Sequence, residues 1–351
     1  MENKVNIIDL LKELARTKGA SDLLITVGKP PQLRVNNELT DLNYEALLPK
    51  DTEQLCFSAL NEEQAARFKV EKEIDFSMVI SGSGRYRVNI FQQRNCYALV
   101  ARIVLEQVPD FESLLLPDII HKFAMLPRGL ILITGPVGSG KSTTVASMVD
   151  YINEHRRCHV ISIEDPIEFV HRHKMATIDQ REVGTDTNSF NEALRRLLRQ
   201  SPDVIVLGEI RDRVSAQAAM TLAETGHLIL ATLHTRGSIG CVNRMIDMFP
   251  PEQNGQIRSQ LASALAGVVW QQLLPKKPEG LVVACEILVV VPALRALIRQ
   301  GRTHEIFSIL QSGKKFGMCT MEQALENLIE RELLDAEMLA GTGVELSMVT
   351  G

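Results

Sequence analysis

The run Gly135-Pro136-Val137-Gly138-Ser139-Gly140-Lys141-Ser142-Thr143 fits the phosphate-binding pattern G-x-x-x-x-G-K-[ST]. Gly129–Ile133 precedes it as an apolar stretch that reads as a buried parallel strand. Val145, Met148, Val149 and Ile152 follow at the spacing of one helix face. Strand, glycine loop and helix start are together what wraps backbone N–H groups around a polyphosphate. The glycines let the backbone approach closely, and the helix N-terminus supplies free donors and a favourable dipole. Lys141 is placed to reach the β- and γ-phosphates, and the Ser142 hydroxyl to take a position on Mg²⁺. With strand and helix both in place, a glycine-rich turn that merely carries a lysine is the poorer reading. The chain reads as a binder of a nucleoside triphosphate.

At 351 residues the chain is long enough for two domains with cores of their own, or one large one. Apolar residues make up 45% and charged residues 23%, an ordinary globular balance. The formal net charge of −5 argues against a protein that coats nucleic acid. Cys56, Cys96, Cys158, Cys241, Cys285 and Cys319 lie far apart with no C-x-x-C pair, which fits scattered thiols in a reducing cytosol. The N-terminus has no signal-peptide layout, and no apolar run approaches the roughly 18 residues of a membrane span. A membrane role is therefore expected only through partners.

The first hundred-odd residues read as a small α+β domain with an antiparallel sheet. Ile7, Ile8, Leu10, Leu11 and Leu14 stripe a first helix that Gly19 stops. Strands are expected at Leu23–Val27, at Gln32–Val35 and Glu38–Leu42 around an Asn36-Asn37 turn, and at Ile74–Ile80 and Tyr86–Phe91 around Ser81–Gly84. Tyr97–Leu105 is a further strand, and Thr52–Leu60 and Glu62–Phe68 are helical. Pro109, Asp110, Glu112 and Pro117 mark a connector, giving boundaries of 1–108, 109–117 and 118–351. Beyond it strands alternate with helices, which argues a parallel, helix-covered sheet. Its strands are expected at Leu130–Thr134, Val160–Ile163, Val204–Leu207 and Leu228–Leu233, with a further apolar run at Val282–Val291 that Glu286 interrupts. Short helices fill the rest, and the chain from Gly341 is expected to fray.

Three of these strands end in polar residues, at the edge where ligands sit in an open α/β sheet. In Ile161–Glu168 a carboxylate beyond a buried strand, Glu164, can orient a water for attack on the γ-phosphate. Val204–Asp212 is a hydrophobic strand ending in Glu209, with Gly208 where many ATPases place an aspartate. Glu209 would support Mg²⁺ through water or polarise the attacking water, and the division of labour between the two glutamates is left open. Gly226–Thr235 carries His227 and His234 at opposite ends of a short apolar strand, read as sensors of bound phosphate. Seven residue steps of strand hold them about 23 Å apart, too far for one metal ion.

These segments, in this order, resemble the secretion and type IV pilus motor ATPases. Gln180–Gly184, Ala223–His227, Arg85–Asn89 and Pro292–Arg299 narrow the likeness to the pilus retraction ATPases. The resemblance implies a C-terminal RecA-like α/β P-loop ATPase domain with a parallel-sheet core, preceded by a smaller PAS-like α+β domain. It implies a homohexamer with ATP and Mg²⁺ between the domains, and arginines of the N-terminal domain completing the site. Arg87 and Arg102 are carried over for that role, with Arg85 beside them. Such cations contribute about 10³–10⁵ in rate in other NTPases, although Arg87 reads equally well as an exposed strand position. The implied setting is cytoplasmic, at the inner membrane under the pilus. There a platform protein, the pilus assembly ATPase and retraction paralogues are the partners.

Departures from the family pattern at Arg199–Asp203, Ser162–Glu164, His171/His173, Leu230–Thr232 and Leu294–Leu297 leave the principal and accessory retraction roles both open. A pilus assembly or type II secretion ATPase is the nearest rival, but its longer N-terminal region and four-cysteine insertion are missing. A nucleic-acid motor would need basic loops or arginine–aromatic clusters, and none is seen. A slow ring subunit that only supports a paralogue is countered by the intact Lys141, Glu164 and Glu209.

Overall fold

A computed structural model describes residues 5–35, 38–104 and 107–335. The Asn36-Asn37 turn, Leu105 and the chain from Gly341 lie outside the described residues. The chain divides into two compact units, one up to Gln107 that also takes Pro166–Val170, the other formed by Val108–Asp165 and His171 onward.

In the first unit, strands β1 (Ala20–Ile25), β2 (Gln32–Val35), β3 (Glu38–Asp41), β4 (Glu73–Ile80), β5 (Gly84–Gln93) and β6 (Cys96–Val104) form an antiparallel sheet in the order β3-β2-β1-β6-β5-β4. Three helices supply much of its core: α1 (Ile7–Arg16), α2 (Pro49–Ser58) and α3 (Glu62–Glu71). Ile7, Leu10, Leu11 and Leu14 of α1 join Leu55, Cys56 and Phe68 in that core. On β5 the period of two sends Tyr86, Val88 and Ile90 inward, and Arg87 between them is exposed. Tyr86 is fully buried, and its hydroxyl donates to Leu11 O at 2.8 Å, tying the sheet to α1.

The second unit is built on seven strands in the order β13-β12-β7-β11-β10-β8-β9. They are β7 (Gly129–Thr134), β8 (His159–Glu164), β9 (Thr177–Glu182), β10 (Val204–Leu207), β11 (Leu228–Leu233), β12 (Leu265–Pro275) and β13 (Leu281–Val289). All neighbours are parallel except β12 and β13, which close the edge as an antiparallel pair. Both faces are covered, so the central strands are apolar throughout. Leu130 and Leu132 of β7 face one core, with α6 (Phe190–Arg196), α7 (Arg213–Glu224), α8 (Ser238–Asp247), α9 (Asn254–Ala264), α10 (Pro292–Gln300) and α11 (Ile306–Ser312). Ile131 and Ile133 face the other, with α4 (Ile119–Ala124) and α5 (Lys141–His155). Phe111 and Leu116 of the expected connector are buried in this second core.

The four expected parallel strands are present. The sequence reading passed over β9 and β12, and the run at Val282–Val291 is β13. Glu286, which interrupts that run, is buried and accepts from Ser238 N at 2.8 Å and Ser238 Oγ at 2.7 Å, at the start of α8. It also accepts from Met321 N at the start of α12 (Met321–Glu330). A carboxylate at two helix N-termini is favoured by their free N–H groups and dipoles, which is how a charge stands in an apolar strand.

Candidate active site

The loop 135–140 leaves the C-terminal end of β7 and delivers the chain into α5. Gly135 has φ 152°, and a Cβ there would run into Gln271 O of β12 and lie 2.6 Å from Ser139 Oγ. Only glycine lets the loop fold back at this point. Gly140 caps α5 with no side-chain hydrogen bond to the helix N-terminus. Free N–H groups at that helix start therefore lie beside the loop, available to an anion. Ser139 is buried, and its Oγ has no hydrogen-bond partner among the described residues. Pro136, Val137 and Gly138 form the exposed crest, and Ser142 and Thr143 are half-buried in the first turn of α5.

Lys141 is buried, with Nζ donating to Gly135 O at 3.0 Å and Pro136 O at 2.8 Å. A cation with loop carbonyls as partners keeps its charge compensated at the position a phosphate would take. His234, just past β11, brings Nδ1 to 3.4 Å from Lys141 Nζ and Nε2 to 3.7 Å from Glu209 Oε1. The lysine of the loop, the second histidine and the acid after β10 thus converge. Thr134 ties the ends of β7 and β11 together, since its Oγ1 lies 2.7 Å from Thr235 Oγ1 and accepts from Thr235 N at 3.0 Å.

Glu209 accepts from Arg211 Nε at 2.7 Å, and Arg211 Nη1 donates to Asp165 Oδ2 at 3.1 Å. The Glu209 carboxylate, with Asp165 adding to it, raises the Arg211 guanidinium above its ordinary value. Glu164 closes β8, and its Oε1 accepts from Ser162 Oγ at 2.6 Å and Gln180 Nε2 at 3.1 Å. Gly208 explains its own departure from the common pattern. A Cβ there would lie 3.2 Å from Ile163 O and 3.3 Å from Glu164 Cα, so an aspartate would press on the neighbouring acid. Thr232 Oγ1 donates to Gly208 O and pins the same turn from β11.

His227, read with His234 as a sensor of bound phosphate, precedes β11, which runs parallel to β7 with Leu228 opposite Gly129. His227 therefore sits at the N-terminal edge of the sheet, while the loop leaves at the C-terminal edge. Its Nδ1 lies 2.9 Å from Leu222 O and 3.2 Å from Thr225 Oγ1, a local turn contact. In the first unit, Arg87 and Arg102 are cross-strand partners on β5 and β6. Arg102 Nε donates to Asp22 Oδ1 at 2.7 Å, and Arg87 Nη2 lies 4.0 Å from Asp75 Oδ1.

The roles of Ser162, Gln180, Arg211, Thr134 and Thr232 were not read from the sequence, since each acts on a residue of another strand or on a strand end. Among the described residues no group of three His, Cys, Asp or Glu side chains could hold a metal ion. No helix there is long and apolar enough to cross a membrane.

Comparison with known proteins fits this geometry. The family model described as type II/IV secretion system protein matches residues 78–329. The type IV pilus retractation ATPase PilT of Pseudomonas aeruginosa is 40% identical over 333 residues, covering 95% of this chain and 96% of that protein. The type IV pilus ATPase PilU of the same organism is 41% identical over 319 residues, covering 91% and 84%. A crystal structure of the pilus retraction motor PilT with bound ADP matches with a TM-score of 0.91 at 41% identity, over 97% of this chain and 98% of that one. A phosphate loop, two acidic strand ends and a histidine beside the loop lysine, on a chain alike over nearly its whole length, place this protein in the type II/IV secretion system protein family.

Proposed function

We propose that this chain is a motor ATPase that couples ATP hydrolysis to retraction of a type IV pilus. One observation carries the reading: the loop lysine Lys141 stands within reach of His234, which in turn reaches Glu209, in a chain similar end to end to retraction ATPases. The helix N-terminus without a side-chain cap, the unpartnered Ser139 hydroxyl and the tight turn at Gly135 fit a polyphosphate. Lys141 exchanges its two loop carbonyls for phosphate oxygens, a stronger charge-assisted contact. Ser142 and Glu209 are the residues that would hold Mg²⁺, Glu209 directly or through water, and the ion would neutralise charge on the β- and γ-oxygens. His234 then reads the occupied loop through Lys141 and Glu209. Glu164, which accepts from Ser162 Oγ and Gln180 Nε2, is assigned to orient the attacking water.

The wider arrangement belongs to the same proposal. The chain works as a homohexamer with a PAS-like domain over 1–108, a connector over 109–117 and the ATPase domain from 118. Arg87 and Arg102, with Arg85, complete the nucleotide site. The ring acts in the cytoplasm on an inner-membrane platform protein, alongside the pilus assembly ATPase and retraction paralogues, without contacting nucleic acid. ATP moves the domains only by its differential affinity for their two arrangements, so cations aimed at the γ-phosphate are where that difference arises.

Steady-state turnover of the purified protein tests the site. Lys141→Ala and Glu164→Gln are each expected to lower kcat by about a hundredfold or more. Wild-type turnover in Lys141→Ala would remove the phosphate loop from the reaction.

A further inference from the structure

Gln180 opens the Gln180–Gly184 stretch and donates to the carboxylate of Glu164. It lies on β9, whose parallel register with β8 sets Gln180 opposite Ser162 and Glu182 opposite Glu164. The period of two puts Ser162, Glu164 and Gln180 on one face of the sheet. There Ser162 Oγ and Gln180 Nε2 both donate to Glu164 Oε1, at 2.6 Å and 3.1 Å. The far end of the same amide is also engaged, because His171 N–H donates to Gln180 Oε1 at 2.8 Å. A backbone N–H can only donate, so the amide oxygen must face His171 and the amide nitrogen must face Glu164. The direction of the amide is thus set by the main chain and imposed on the carboxylate.

We propose that Gln180, assisted by Ser162, is a positioning residue for ATP hydrolysis that fixes the plane of the Glu164 carboxylate. The proposal rests on the assignment of Glu164 as the group that orients the attacking water. Both donors are neutral. They orient the carboxylate through directional hydrogen bonds. A water misplaced by about 1 Å costs on the order of a hundredfold in rate, so a carboxylate free to rotate is a poor guide. β9 is an edge strand of the sheet. Its polar side chains are then part of the site's construction.

The test is a double-mutant cycle on ATP turnover in the full chain. Gln180→Glu keeps an acceptor for His171 N–H but replaces the donor that faces Glu164 with an oxygen. It is expected to lower kcat about tenfold while KM for ATP stays within about twofold. Ser162→Ala, which leaves β9 untouched, is expected to lower kcat about threefold. Placed in the Glu164→Gln background, Gln180→Glu is expected to change kcat by less than about twofold, since the group it positions is already gone. Wild-type kcat in both single variants overturns the proposal. An equal loss in both backgrounds, or a loss carried by KM, does so as well. Wild-type turnover in Glu164→Gln alone is a different failure, because it removes the assignment on which the proposal stands.

Discussion

His171 shows how far a side chain's behaviour departs from its residue type. Its side chain is 5% exposed, with Nδ1 4.0 Å from Asp150 Oδ1. Burial lowers its pKa to about 4, with Asp150 pulling the other way and Lys174 adding to the lowering. The unfolded chain takes up this proton near the ordinary value of about 6.5, before the native state does. Stability is therefore unaffected above that pH and falls as pH drops from about 6.5 to about 4, by about 3 kcal/mol at most. Denaturant midpoints at about pH 7.5 and pH 4.5 check this, and His171→Asn is expected to lose less between the two than the wild type. Equal losses would show that the histidine charges freely in the folded protein. The sequence offered no sign of this, because burial comes from how the chain beyond β8 packs. The nucleotide-loop residues were legible for the opposite reason: loop, lysine and helix start are contiguous, and their chemistry is local.

Strands were legible in proportion to their burial. β7, β8, β10 and β11 are covered on both faces and read as apolar runs. β9 reads Thr-Ile-Asp-Gln-Arg-Glu, with the Ile178 side chain its one buried hydrophobic, and periodicity could not find it. β12 was hidden by Gln271 and Gln272. Gln271 is fully buried and donates to Thr144 Oγ1 at 2.8 Å, a contact with α5 across 127 residues of sequence. His227 and His234 flank one strand, which carries them to opposite sheet edges. On β6, Arg102 is 66% exposed and paired with the buried Asp22, which also accepts from Ser21 Oγ and lies 3.6 Å from Arg34. With those partners left in place, Arg102→Ala is expected to cost about 1 kcal/mol of stability. If the arginine completes the nucleotide site, kcat falls at least tenfold while the thermal midpoint moves only a few degrees. An unchanged kcat would leave Arg102 as a partner of Asp22 alone.

At the scale of the molecule, one unit carries the phosphate loop, Glu164, Glu209 and His234, and the other carries the arginines proposed to act with them. The fold class of the ATPase unit followed from alternating strands and helices, and the resemblance to retraction ATPases followed from motifs in order. The proposal that arginines act in trans within a ring rests on that likeness, since no local pattern encodes what a neighbouring subunit contributes. The central claim is that ATP turnover at Lys141 drives pilus retraction. It is tested most directly by following individual surface pili on living cells whose own gene carries Lys141→Ala. Abundant pili that extend but do not shorten are the predicted result. Cells that make no pili, or pili that shorten at the wild-type rate, would contradict it.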